Sequence, residues 1–94
     1  MTKRSAPVHA FIARTHGVSV MEQSVLDALF DAGCDDAVVG TDLEGDYLDF
    51  TRSAPTFEDA VATASAAVES VSGLRVVRIE PYDQPDYMLK SAQG

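Results

Sequence analysis

The chain has 94 residues, 15 acidic and 7 basic, for a formal charge of −8, with 46% hydrophobic residues, no tryptophan and one cysteine, Cys34. This length suits a single domain with its own core and excludes two. One cysteine excludes an internal disulfide and a four-cysteine zinc site, and the acidity opposes nonspecific nucleic-acid binding. With no membrane-length apolar run and too short an apolar stretch near the start for a signal peptide, a cytoplasmic protein is expected.

Residues 7–14, PVHAFIAR, are predicted as a first strand. Alternation places Val8, Ala10 and Ile12 on one face and His9, Phe11 and Ala13 on the other; both are fairly apolar, which suits a central strand. THGVS follows as a turn. Ser19 and Glu22 form an S-x-x-E capping box that predicts a helix from near Val20. Met21, Val25, Ala28, Leu29 and Ala32 then fall on one helical stripe, flanked by Leu26 and Phe30, and Gly33 fits the left-handed stop.

Cys34 to Thr41, CDDAVVGT, reads as a second strand centred on Ala37, Val38 and Val39. A turn through Asp42–Asp46 leads to a third strand, Tyr47 to Thr51, with Leu48 and Phe50 on one face and Tyr47, Asp49 and Thr51 on the other, so the pair is a predicted hairpin. Pro55 breaks the strand. Thr56 can cap a second helix, whose first turn carries Glu58 and Asp59 at the positive end of the helix dipole. Its apolar stripe runs Phe57, Ala60, Val61, Ala64, Ala67, Val68 and Val71 before Gly73, and LRVVRIE, Leu74 to Glu80, is the last strand.

Strand, helix, strand, strand, helix, strand predicts an α+β ferredoxin-like βαββαβ fold: a four-stranded antiparallel sheet with two helices on one face, over residues 1–81. The remainder, 82–94, is read as a C-terminal tail.

Little in the sequence points to catalysis. Asp35 and Asp36 could join His9 or His16 at a metal, but adjacent strand residues point to opposite faces, so no metal is expected. Cys34 has no flanking cation to activate its thiol and reads as a small buried hydrophobe. Phosphate-loop, dinucleotide, hydrolase and metalloprotease motifs are absent, and no cofactor is expected. Arg14, in ARTHG, lacks the glycine-rich loop of an anion site and reads as a solvated strand-end arginine; Arg75 and Arg78 are expected to pair with surface acids.

The open side of the sheet is the feature that asks for a partner. Phe11, Tyr47, Asp49 and Thr51 are the candidate interaction residues, with Tyr82, Tyr87 and Met88 as contacts from the tail. The THGVSV turn supplies an alternative site for a small ligand, at Thr15, His16, Gly17 and Val18.

From the first helix onward the chain resembles the ferredoxin-like domain that precedes a helix-turn-helix in bacterial predicted DNA-binding regulators. The resemblance lies in LDALFDAGCDDAVVG (Leu26 to Gly40), YLDF (Tyr47 to Phe50), TFEDAVATASAAVESV and LRVVRIEP (Leu74 to Pro81). It implies a regulatory module and carries no catalytic residues. After Glu80 this chain has only PYDQPDYMLKSAQG, too short for a two-helix DNA reader, so direct nucleic-acid binding is not expected. The sequence therefore predicts a non-enzymatic protein-interaction or regulatory module, a homodimer through the open sheet face or an edge strand, acting with a protein partner such as a toxin or a regulator and without a membrane. The alternative is a small-molecule sensor of the ACT type.

Overall fold

The structure, a computed structural model, describes residues 7–81; Tyr82, Tyr87 and Met88 lie outside the described residues. Its elements are β1 (Val8–Gly17), α1 (Gln23–Asp31), β2 (Ala37–Asp42), β3 (Gly45–Ser53), α2 (Phe57–Glu69) and β4 (Leu74–Pro81). The strands form one sheet in the order β2-β3-β1-β4, with every neighbouring pair antiparallel. This is the ferredoxin-like α+β arrangement, and no helix of the described residues is long and apolar enough to cross a membrane.

Strand register decides which residues reach the core. Phe11 lies directly opposite Phe50, and Ala13 opposite Leu48. Residues paired directly across a ladder share a face, so these four point to the same side, where all are fully buried. The Phe11 and Phe50 rings stack at 5.4 Å, and Phe57 of α2 meets Phe11 edge-on at 5.7 Å. Phe11 is therefore a core residue under the helices, which corrects its assignment to the interaction face. The sequence grouping of Phe11 with Ala13 was right; the side it faced was not.

Helix α2 forms as its sequence dictates. Thr56 Oγ1 accepts a hydrogen bond from the Asp59 N–H at 3.0 Å, and Ala60, Ala64 and Val68 turn a small-residue stripe onto the sheet. Helix α1 starts later than the capping box predicts, at Gln23. Val20 sinks fully into the core and its N–H donates to Asp46 Oδ2 at 3.1 Å, which holds residues 19–22 in a turn. Ser19 Oγ accepts from Met21 N–H inside that turn, and Glu22 at the helix start makes no side-chain cap. As a result Met21 is exposed rather than part of the buried stripe, as is Phe30, while Leu29 is buried.

The first strand also runs further than predicted, through Thr15 and His16 to Gly17. Gly17 has φ +121°, and a Cβ there would sit 1.9 Å from the Gly73 carbonyl oxygen, which accepts from Val18 N–H at 3.0 Å. Only glycine allows that crossing of the two loops.

Candidate functional site: the open sheet face

Register also fixes the composition of the uncovered face. One row across the sheet is Gly40, Tyr47, Arg14 and Arg78; the next is Val38, Asp49, Ile12 and Glu80; beyond them Thr51 pairs with Ala10 and Ser53 with Val8. Tyr47, Asp49 and Thr51 thus share this face, with Ala10, Ile12 and Val8 of β1 in the place assigned to Phe11. Val8 and Val38 are 60% and 70% exposed, whereas Ala10 and Ile12 are half-buried. One half of the face is therefore apolar apart from the Thr51 hydroxyl and the Asp49 carboxylate, and no described element lies over it.

The other half is a charge network. Arg14 forks onto Asp42, with Nη1 and Nη2 donating to the two carboxylate oxygens at 2.7 and 3.0 Å, while its Nε donates to Glu80 at 3.2 Å. Its guanidinium carbon lies 5.3 Å from the centre of the Tyr47 ring, and a Cβ on Gly40 would fall 2.5 Å from the Tyr47 hydroxyl, so the ring lies over glycine. Arg78 bridges Glu44, at 2.8 Å, and Glu80. These pairings hold the Asp42 carboxyl below its ordinary range, chiefly through Arg14, and the Glu80 carboxyl likewise, chiefly through Arg78. Arg14 is 8% exposed, so it is neither a solvated strand-end residue nor an open anion ligand, because carboxylates already occupy its fork. Arg78 pairs with surface acids as expected.

The helix-covered side carries a second cluster. Arg52 donates to both Asp36 oxygens at 2.8 and 3.0 Å, to Gly33 O at 2.7 Å and to Thr63 at 3.1 Å, tying the end of α1 to β3 and α2. Cys34 beside it is 4% exposed, and burial pushes its thiol up to about 11. A thiol so raised is a poor nucleophile at neutral pH, and the residue packs as a small hydrophobe. Among the described residues, no three His, Cys, Asp or Glu side chains come together in a way that could hold a metal ion.

The alternative ligand residues are split by the fold. Gly17 and Val18 are engaged by the Gly73 loop. Thr15 is buried with Oγ1 lacking a hydrogen-bond partner among the described residues, and His16 is exposed. Thr15 and His16 line a shallow depression with Arg14, Glu44, Val77 and Arg78. What the sequence reading missed is the Arg14–Asp42–Glu80 network and the placement of Val8, Ile12 and Val38 on the same face as Tyr47, Asp49 and Thr51; the strand register, which puts Phe11 against Phe50, is the signal that would have found them.

Fold and face together define a ferredoxin-like α+β domain with one half-apolar sheet surface that no described element covers. No family model, curated protein or solved structure matches the chain.

Proposed function

We propose that this protein is a non-enzymatic protein-interaction or regulatory module that works as a homodimer assembled through its open sheet face or an edge strand. The observation that carries the interaction role is the open face: Val8, Ala10, Ile12, Val38 and Thr51 surround Asp49 on a surface that no described element covers, beside cations already bound to carboxylates of the same chain. An apolar sheet surface that no described element covers is lowered in free energy by a macromolecular partner. We propose a toxin or a regulator as the further protein partner, in the cytoplasm, as the sequence resemblance to the ferredoxin-like domain of bacterial regulators implies. Native mass by light scattering tests the reading. Twice the chain mass is expected, and the chain mass alone at all accessible concentrations overturns the homodimer.

A second reading, an ACT-like sensor, is favoured by one observation, the depression beside Thr15 and His16. A thermal-shift series with the individual amino acids tests it: stabilisation that is lost in a His16→Ala variant supports the sensor, and no shift with any of them overturns it.

A further inference from the structure

The two edges of the sheet are built differently. Edge strands expose unpaired backbone groups, and proteins blunt them with charges, proline, bulges or a covering side chain. Strand β4 has all of these: Arg75, Arg78 and Glu80 along it, Pro81 at its end, a register irregularity opposite Arg14 and Thr15, and Glu69 of α2 accepting from the Val76 N–H at 2.8 Å. Strand β2, AVVGTD, has no proline, no bulge and a single charge. Its register against β3 is unbroken, and its one charge, Asp42, is held by Arg14 of the same chain.

The backbone of β2 is also correctly disposed for pairing. Thr51 N–H donates to Asp36 O, which fixes the alternation along the ladder. Val38, Gly40 and Asp42 direct their N–H and C=O groups toward β3, and Ala37, Val39 and Thr41 direct theirs outward, where no strand lies among the described residues. On either side of this edge sit exposed apolar side chains, Val38 on the open face and Phe30 on α1, and between α1 and β2 runs a groove lined by Leu26, Leu29, Ala37 and Val39.

We infer that two copies join by antiparallel pairing of their β2 strands, extending each four-stranded sheet into one continuous eight-stranded sheet. The partner is a second copy because the outward groups of Ala37, Val39 and Thr41 are self-complementary about Val39, and the strand's one charge, Asp42, is held by Arg14, which limits the repulsion between two chains of charge −8 along this strip. Two-fold pairing lets each edge satisfy the outward N–H and C=O groups of the other. Asp27 and Asp35 flank the groove beside this seam, so raising the salt concentration screens their mutual repulsion and tightens the dimer. In such a dimer the open faces of the two copies lie side by side and form one platform for the further protein partner. This inference rests on the homodimer reading above.

Thr41 is exposed and its N–H points outward, so Thr41→Pro removes an edge donor while keeping every β2–β3 bond. Light scattering on the full chain, with circular dichroism to verify folding, is run on wild type, Thr41→Pro, Phe30→Glu, which needs no backbone change, and the open-face double variant Val8→Asp, Ile12→Asp. The expected result is a dimeric wild type that tightens with salt, folded monomers for Thr41→Pro and Phe30→Glu, and a dimeric open-face variant. Thr41→Pro and Phe30→Glu dimers beside a monomeric open-face variant overturn the β2 seam and leave the homodimer standing; a monomeric wild type overturns both.

Discussion

Arg14 and Asp42 belong to strands that do not touch. Arg14 is on β1 and Asp42 ends β2, with β3 between them, yet the guanidinium spans the gap and meets the carboxylate at 2.7 and 3.0 Å. Neighbouring strands lie about 4.8 Å apart, so this clasp bridges roughly 10 Å and fastens the tip of the unprotected edge strand to the centre of the sheet. A lysine has the charge but not the fork. Arg14→Lys is therefore expected to lower the melting temperature more than Arg78→Lys, because Arg78 is half exposed and bridges only Glu44 and Glu80. Equal losses in thermal melts would contradict this.

The same network sets the response to acid. In the fold the Asp42 and Glu80 carboxyls titrate below their ordinary values; in the unfolded chain they take up protons near pH 4, so their stabilisation is complete above that and is lost as pH falls through the lower folded values. Both carboxylates are partly exposed, which keeps the effect salt-sensitive. Melting temperature is expected to hold between about pH 8 and pH 5 and to drop below about pH 4, with a shallower drop in Asp42→Asn.

Cys34 responds at the opposite end of the scale. Its thiol is raised by burial to about 11, so the contribution of the neutral thiol is complete below the unfolded value and lost as pH rises through the folded one. At pH 8 the native protein should react with a thiol reagent on the order of a hundredfold more slowly than the denatured chain. Equal rates would place the sulfur at the surface.

Glycine positions separate strain from space. Gly17→Ala meets both a positive φ and the Gly73 carbonyl, and is expected to cost about 3 kcal/mol or more. Gly33 has φ +103° but nothing within 4 Å of a new Cβ, so Gly33→Ala should cost about 1 kcal/mol. Denaturant titration of the two variants measures the difference.

The fold was legible because its signals are local. The Thr56 cap, the alanine stripe of α2, the stops at Gly33 and Gly73 and the Leu48–Phe50 alternation each act within a few residues. Two things were not legible for a common reason. The start of α1 depends on Asp46 taking the Val20 N–H across 26 residues, and the side on which Phe11 lies depends on its register with Phe50. A period-two pattern gives two faces, and only the partner strand says which one the helices cover. The candidate site followed suit: Tyr47, Asp49 and Thr51 were placed from their own alternation, while the arginine network required strands 28 and 66 residues apart to meet.

Ser19 offers a check on that account. Thr56 is a working cap and Ser19 only closes a turn, so Thr56→Ala should cost about 1 kcal/mol and Ser19→Ala distinctly less. Equal costs would restore the capping box.

The most direct test of where two copies meet is amide hydrogen exchange at Val39 and Thr41, with Val38 and Gly40 as internal references inside the β2–β3 ladder. Paired β2 strands predict protection at Val39 and Thr41 that approaches the references and fades on dilution. Rapid exchange at Val39 and Thr41 at every concentration, with Val38 and Gly40 protected, would contradict the β2 seam.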